Sequence, residues 1–479
     1  MGNRNLRRGI SRRQFVVRSA TATTTAANLG RSQAAEPTAA AGPGLAMGTR
    51  VGEVTDTSAI VWARLTARPS RNADGPKFVG HVNRKEEQPP IDNVDALFGA
   101  CPGMAGRLRV RYRPRKVTGE WPATPWADVS GETDFSHQFP LVGLSPATPY
   151  EFEIDTTPEA TIGRGRFETA PAAATPAEVC FCVTTCLMVA DLDHEDGFQI
   201  FPAMQALEPR FVVFTGDSVY FDSERPRAES IELARYHWQR MYSLPRHTEL
   251  LRKVASYWEK DDHDTHSDDS WPAMRPMGTF TFAQGQQVYH EYVPLAGRLY
   301  RTFRWGSGLQ VWFTDGRDFR SPNNMPDGPD KTIWGVEQKA WLKQTLATSA
   351  ARWKVLVSPT PIVGPDRKTK NDNHSNAGFT HEGDEFRQWV RDNVAGNFFV
   401  VCGDRHWQYH SVHPATGLNE FACGPGSDVH ASGSPGYNAA YHKFHRVKGG
   451  FLSVLASPER ISFRHHDVRG QIVYQWQPG

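Results

Sequence analysis

Cysteine is scarce in this chain: six in 479 residues, at Cys101, Cys180, Cys182, Cys186, Cys402 and Cys423. None falls in a C-x-x-C pair, which argues against a structural zinc site. The spacing is not that of a disulfide-stapled framework either. Cys180 and Cys182 share one face of an expected strand, where a buried thiol is the default. An excess of charge is also missing. Lys and Arg number 54 against 52 Asp and Glu, so the formal charge is only +2. Nothing in that balance points to nucleic acid or to an acidic membrane surface. No apolar run approaches the ~20 residues of a membrane-spanning helix. No repeat of solenoid period is found.

What the chain does have is length, proline and tryptophan. A chain of 479 residues supports two or three domains and a large core. Its 34 Pro and 14 Trp suit a loop-rich fold with many ordered turns. Near the start, Ser11-Arg12-Arg13-Gln14-Phe15-Val16 resembles a twin-arginine export signal, followed by an Ala/Thr-rich segment. Small residues at Ser32-Gln33-Ala34 offer a cleavage site, so residues 1–34 are expected to be a signal peptide and the mature protein to be periplasmic or secreted. A disordered basic tail is the competing reading.

After an Ala/Pro/Gly-rich linker over 35–44, the text is β-like to about residue 172. Ser58–Arg64 and Arg107–Tyr112 read as strands, with an irregular insertion over 68–106 between them. Leu144-Ser145-Pro146-Ala147-Thr148-Pro149-Tyr150 looks like the corner of an immunoglobulin or fibronectin III-like sandwich, where a Tyr hydroxyl ties down the turn. An N-terminal immunoglobulin-like β-sandwich is therefore expected over 45–172. A second domain is expected over 177–479. There, apolar strands alternate with helices, which makes it α/β. Its strands are expected at Val179–Val183, Phe211–Phe214, Val254–Trp258, Leu309–Phe313, Trp353–Val357 and Phe398–Val401. Its helices are expected over Glu195–Leu207, Arg227–Leu251 and Thr332–Ala347, the last with Trp334, Trp341, Leu342 and Leu346 facing the core.

Those strands run into polar tips. Phe211-Val212-Val213-Phe214 reads as buried on both faces and stops at Gly216-Asp217, with Tyr220 three residues on. The others lead to Cys186, to Asp261-Asp262-His263-Asp264, to Asp315-Gly316-Arg317 and to Gly403-Asp404-Arg405-His406. In α/β sheets, ligands bind beyond the carboxyl ends of the strands. Singly, each tip reads as a core thiol, a turn, a cap or a solvated acidic loop. Together they are thiolate, carboxylate, phenolate and imidazole. Side chains of that kind can surround two ions and clamp a phosphoryl group between them.

This ordered set of motifs resembles the PhoD-like alkaline phosphatase D family, a branch of the calcineurin-like metallophosphoesterases. The resemblance covers most of the chain, since that family also carries a twin-arginine signal and an N-terminal immunoglobulin-like domain. It implies an exported metallophosphoesterase that hydrolyses phosphate mono- or diesters by metal-hydroxide attack at a two-metal site. It implies that Cys186, Asp217, Tyr220 and His406 hold Fe(III), with Asp217 bridging to a second metal. Asp262 and Asp404 would hold that second ion, Ca(II) or another divalent metal. His263 would act as general acid or stabiliser beside the phosphate. Arg317 would bind phosphate or make a structural ion pair. The donor chemistry agrees: Fe(III) favours phenolate and carboxylate, and Ca(II) takes oxygen. The sequence departs from the family pattern around Asp268, where many relatives have an Asn nearby. Asp268 is either an extra ligand or a turn residue, with the turn favoured. A His ligand for the second metal is not assigned, although His374 and His381 lie in a loop, Lys368–Glu385, that could border the site. The implied partners are a phosphate-ester substrate and the twin-arginine export machinery. Two rival readings are kept. One is a phosphodiesterase of phospholipid or cell-wall polymer. The other is a secreted binding protein whose metals are structural.

Overall fold

The strand at Phe211–Thr215 forms as the apolar run requires, and neither face reaches solvent. Phe211 and Val213 enter the core between two sheets, while Val212 and Phe214 enter a second core beneath helices. Each such burial contributes roughly 1.5–3 kcal/mol, which is why the run shows no polar alternation. The computed structural model describes residues 42–82, 88, 90–394 and 396–479, and the export-signal reading over 1–34 lies outside them.

Val179–Thr184, Phe211–Thr215 and Ala255–Glu259 run parallel at the centre of a nine-stranded sheet. Antiparallel strands Phe451–Ala456, Ile461–His466 and Ile472–Trp476 extend it on one side. On the other side come three strands from the N-terminal region: Thr49–Gly52, Ser58–Arg64 and Ser136–Val142. A seven-stranded sheet is built on the parallel strands Leu309–Phe313, Trp353–Ser358, Phe398–Cys402 and Asn419–Ala422. The two sheets share one apolar core. Helices Ile200–Gln205, Ile231–Tyr242, Pro245–Leu251 and Phe282–Tyr292 cover the outer face of the first. Helices Gly335–Thr348 and Thr380–Asn393 cover the second. The order is thus helix, sheet, sheet, helix.

The remaining four-stranded sheet joins Ala127–Val129, Gly106–Pro114, Pro149–Thr157 and Ala160–Glu168. At its corner the Tyr150 hydroxyl accepts a hydrogen bond from Ser145 N at 3.0 Å. The insertion holds a short 3-10 turn at Val94–Ala96 and packs Leu97 and Ala100 against Tyr236.

Three helices differ from expectation. The one expected over Arg227–Leu251 is two, Ile231–Tyr242 and Pro245–Leu251, because Pro245 begins a new helix. The one expected over Glu195–Leu207 is helical only at Ile200–Gln205, because Gly197 turns the chain at φ +119° and Asp193 Oδ1 accepts from Gln199 N. Phe198, Phe201 and Met204 are buried all the same. The one expected from Thr332 starts at Gly335, where Thr332 Oγ1 accepts from Gly335 N at 2.8 Å. Trp334, Leu342 and Leu346 are core, and Trp341 is half-buried.

Candidate metal centre

Parallel neighbours in a sheet end on the same edge, so Cys186, Asp217 and Asp261–Asp264 emerge together from the first sheet. Asp404 and His406 come from the second. Glycine lets the two sets meet. A Cβ on Gly403 would lie 2.2 Å from the Thr215 carbonyl oxygen, so only Gly permits that approach. A Cβ on Gly216 would lie 2.5 Å from Asp261 Cβ, at φ +77°. Thr215 Oγ1 also donates to the Ser358 carbonyl at 3.1 Å, stitching one sheet to the other. Cys186, Asp217 and Asp404 all stand in the left-handed backbone region, at φ +53°, +52° and +56°. Such conformations are sparse for non-glycine residues and gather at functional sites. Here they turn three strand tips inward.

On one side, Asp217 Oδ2 lies 3.6 Å from Cys186 Sγ and accepts from the Tyr220 hydroxyl at 3.1 Å. His406 Nε2 faces His430 Nε2 at 3.2 Å, and His430 Nε2 is 3.2 Å from the Tyr220 hydroxyl. One ligand atom each from Cys186, His406 and His430 falls within 4.8 Å of the other two. Burial first, then the Asp217 charge, pushes the Cys186 thiol and the Tyr220 phenol well above their ordinary values. Burial, then Asp262 and Asp261, does the same to Asp217 against the pull of His263.

On the other side stand carboxylates and their arginines. Asp217, Asp261 and Asp404 converge within 4.8 Å, as do Asp217, Asp262 and His263. Asp262 accepts from Asp269 N at 2.6 Å and from His263 N at 3.1 Å. Arg317 is fully buried, donates to Asp261 Oδ1 at 2.5 Å and lies 3.6 Å from Asp262. Of its two expected roles, the structural ion pair is the one its contacts fill. Arg405 is likewise buried, among Asp366, Asp372 and Asp404. Asp264 joins the two loops by accepting from Ser218 N and Asp261 N.

His263 bonds Asp222 Oδ1 through Nδ1 at 2.6 Å and lies beside the Tyr220 ring. Burial alone would lower its pKa, but Asp222, Asp262 and Asp217 hold it well above the ordinary histidine value. Asp268 N donates to the other oxygen of Asp222, and the Asp268 side chain joins Asp262 and Asp269 opposite Lys370. The loop that carries Lys370 therefore borders the site, but its histidines do not join it. His374 is buried against Trp334 and bonds Glu382, and His381 is exposed.

The donor set fits metal ions on its own terms. A thiol, a phenol, imidazoles and carboxylates converge where burial penalises each anion. Asp217 Oδ1 and Asp261 Oδ2 are buried without a hydrogen-bond partner, an arrangement that costs free energy until a cation supplies the missing charge. Three participants were not singled out in the sequence. His430 sits in the Gly/Ser-rich loop after Asn419–Ala422, with no apolar strand leading into it. Asp222 and Asp191 each hold a histidine of the site, and the sequence carries no pattern for such a role.

The family model described as PhoD-like phosphatase matches residues 181–479. A curated relative, alkaline phosphatase D of Bacillus subtilis (strain 168), is 26% identical over 160 residues, covering 27% of this chain and 26% of the relative. This chain thus matches about a quarter of that relative's length. Among solved structures, one titled "Structure of PhoD" aligns at TM-score 0.70 and 16% identity over 91% of this chain and 89% of that one. A purple acid phosphatase, PPD1 of yellow lupin (Lupinus luteus) seeds, aligns at TM-score 0.62 and 12% identity over 91% and 74%. At these identities the likeness to solved structures is one of fold.

Proposed function

The chain belongs to the PhoD-like phosphatase family, and from that premise we propose that it is an exported, metal-dependent hydrolase of phosphate esters. The observation that carries the reading is the convergence of Cys186, Asp217, Tyr220 and His406 with Asp262 and Asp404 at the meeting edge of two sheets. Cys186, Asp217, Tyr220 and His406 would hold iron(III), and Asp262 and Asp404 would hold calcium or another divalent ion, with Asp217 shared. When bound, the two ions supply an activated water and positive charge over the phosphoryl oxygens.

The chain's own groups do the rest. Asp222 accepts the Nδ1 proton of His263 and fixes the ring. The Asp222 carboxylate favours the imidazolium, which would leave a second proton to give to the departing alcohol oxygen. Arg317 holds Asp261 and Asp262 in place from beneath rather than touching phosphate. Buried strand ends exclude water from the donors, so their electrostatic effect on the ester is strong.

The twin-arginine sequence at Ser11–Val16 supports export to the periplasm or beyond, with residues 1–34 as the signal. Residues 45–172 are read as an immunoglobulin-like accessory region, supported by the Tyr150 corner, and 177–479 as the phosphatase domain. The test is metal analysis of the exported protein beside a panel of phosphate monoesters and diesters. Hydrolysis that chelators abolish and added metal restores is expected. A metal-loaded protein that cleaves no ester would overturn the proposal.

A further inference from the structure

We propose that His430 is a fifth protein donor to the ion held by Cys186, Asp217, Tyr220 and His406, and that Asp191, backed by His81 of the 68–106 insertion, aims it. The inference rests on the metal-dependent reading above and adds a ligand and a positioning device to it.

Asp191 is buried in the short 3-10 turn Val189–Asp191. Its Oδ2 lies 2.7 Å from His430 Nδ1. A carboxylate only accepts, so His430 Nδ1 carries a proton, and in the neutral ring Nε2 keeps its lone pair. That lone pair points where Tyr220 and His406 already converge, at 3.2 Å from each. Two imidazole nitrogens facing each other at 3.2 Å share either a proton or a cation. With Cys186 Sγ inside the same group, a cation suits all of them. A histidine that ligates a metal through one nitrogen characteristically donates the other N–H to a carboxylate, which is the arrangement seen here.

The second oxygen of Asp191 lies 3.0 Å from His81 Nε2. His81 is itself anchored. It makes a β-bridge to Glu224, and Val82 N donates to the Ser223 carbonyl at 2.9 Å. Glu224 Oε1 in turn accepts from Ala190 N at 2.7 Å, so the same carboxylate braces the turn that carries Asp191. The insertion thus reaches the donors through one carboxylate and one imidazole. A second imidazole beside a thiol also biases the ion toward a borderline transition metal and away from calcium or magnesium.

The experiment compares the metal-loaded wild type with His430→Ala, Asp191→Asn and His81→Ala. It reads iron per chain, iron retention against a chelator series, and the visible tyrosinate–iron(III) band. His430→Ala is expected to weaken iron retention and shift the band. Asp191→Asn removes the carboxylate charge and leaves at best a weaker, neutral acceptor for the Nδ1 proton. It is expected to weaken retention by about 10–100-fold, the usual cost of losing such a partner. His81→Ala, on the exposed side, is expected to do the same more weakly. If His430→Ala does not fold, Asp191→Asn decides the matter. Unchanged retention and an unchanged band in these variants overturn the inference and leave the functional reading standing. A wild type that binds no metal overturns both.

Discussion

Around Cys186 the donors are a thiol, a phenol and imidazoles, tied to one another and to Asp217 by contacts of 3.1–3.6 Å. Around Asp262 and Asp404 they are carboxylates that lean on two buried arginines, Arg317 and Arg405. In the first half, burial drives the thiol and the phenol toward neutrality, and both depend on an ion to become anions. The second half already has part of its countercharge in those arginines, although Asp261 Oδ2 and Asp404 Oδ2 stay without a hydrogen-bond partner. The same edge of the fold thus holds one set of donors that lacks any fixed cation and another that the protein braces with arginine.

The largest effect is expected where the halves meet. Asp217→Ala removes the residue they share, and turnover should fall by roughly 10³-fold or more as several kcal/mol of charge stabilisation are lost. Steady-state rates with metal analysis check this, and near-normal turnover would separate the two halves. Arg317→Ala strikes the arginine-braced half alone. It leaves Asp261 and Asp262 buried without their partner and should cost about 3–5 kcal/mol of stability, measured by denaturant unfolding. A stability near that of wild type would mean that the arginine is not what holds that half. His263→Ala should keep both ions and the fold but lose a factor of about 10² in rate. Unchanged turnover would remove it as the proton donor. The smallest effect on the fold belongs to the half that lacks a fixed cation. Tyr220→Phe deletes one buried hydroxyl, worth about 1 kcal/mol, yet should abolish the tyrosinate–iron colour. A retained band would place the colour elsewhere.

The comparison also explains what could be read in the sequence. Buried strands announce themselves as apolar runs, so the tips at Cys186, Asp217, Asp262 and Asp404 were legible one by one. Their meeting was expected from the set taken together and from the family resemblance, but its geometry was not, because that depends on the pairing of two sheets and on Gly403 passing against Thr215. Nor was the left-handed backbone at Cys186 legible, since nothing about a cysteine predicts it. The two readings of Arg317 could be weighed only once its burial against Asp261 was known. His430 escaped notice because its loop carries no periodicity, and its role comes from Asp191, 239 residues earlier. His374 drew attention as a histidine near the site, but it serves the packing of Trp334 and Glu382.

The most direct measurement is anomalous diffraction at the iron edge from crystals of the exported, metal-loaded protein. The account predicts one iron peak within bonding distance of Cys186 Sγ, the Tyr220 hydroxyl oxygen and His406 Nε2. It predicts a second, non-iron ion on Asp262 and Asp404, with Asp217 between them. Iron bound elsewhere, or an ordered but metal-free cluster in protein that still hydrolyses phosphate esters, would contradict it.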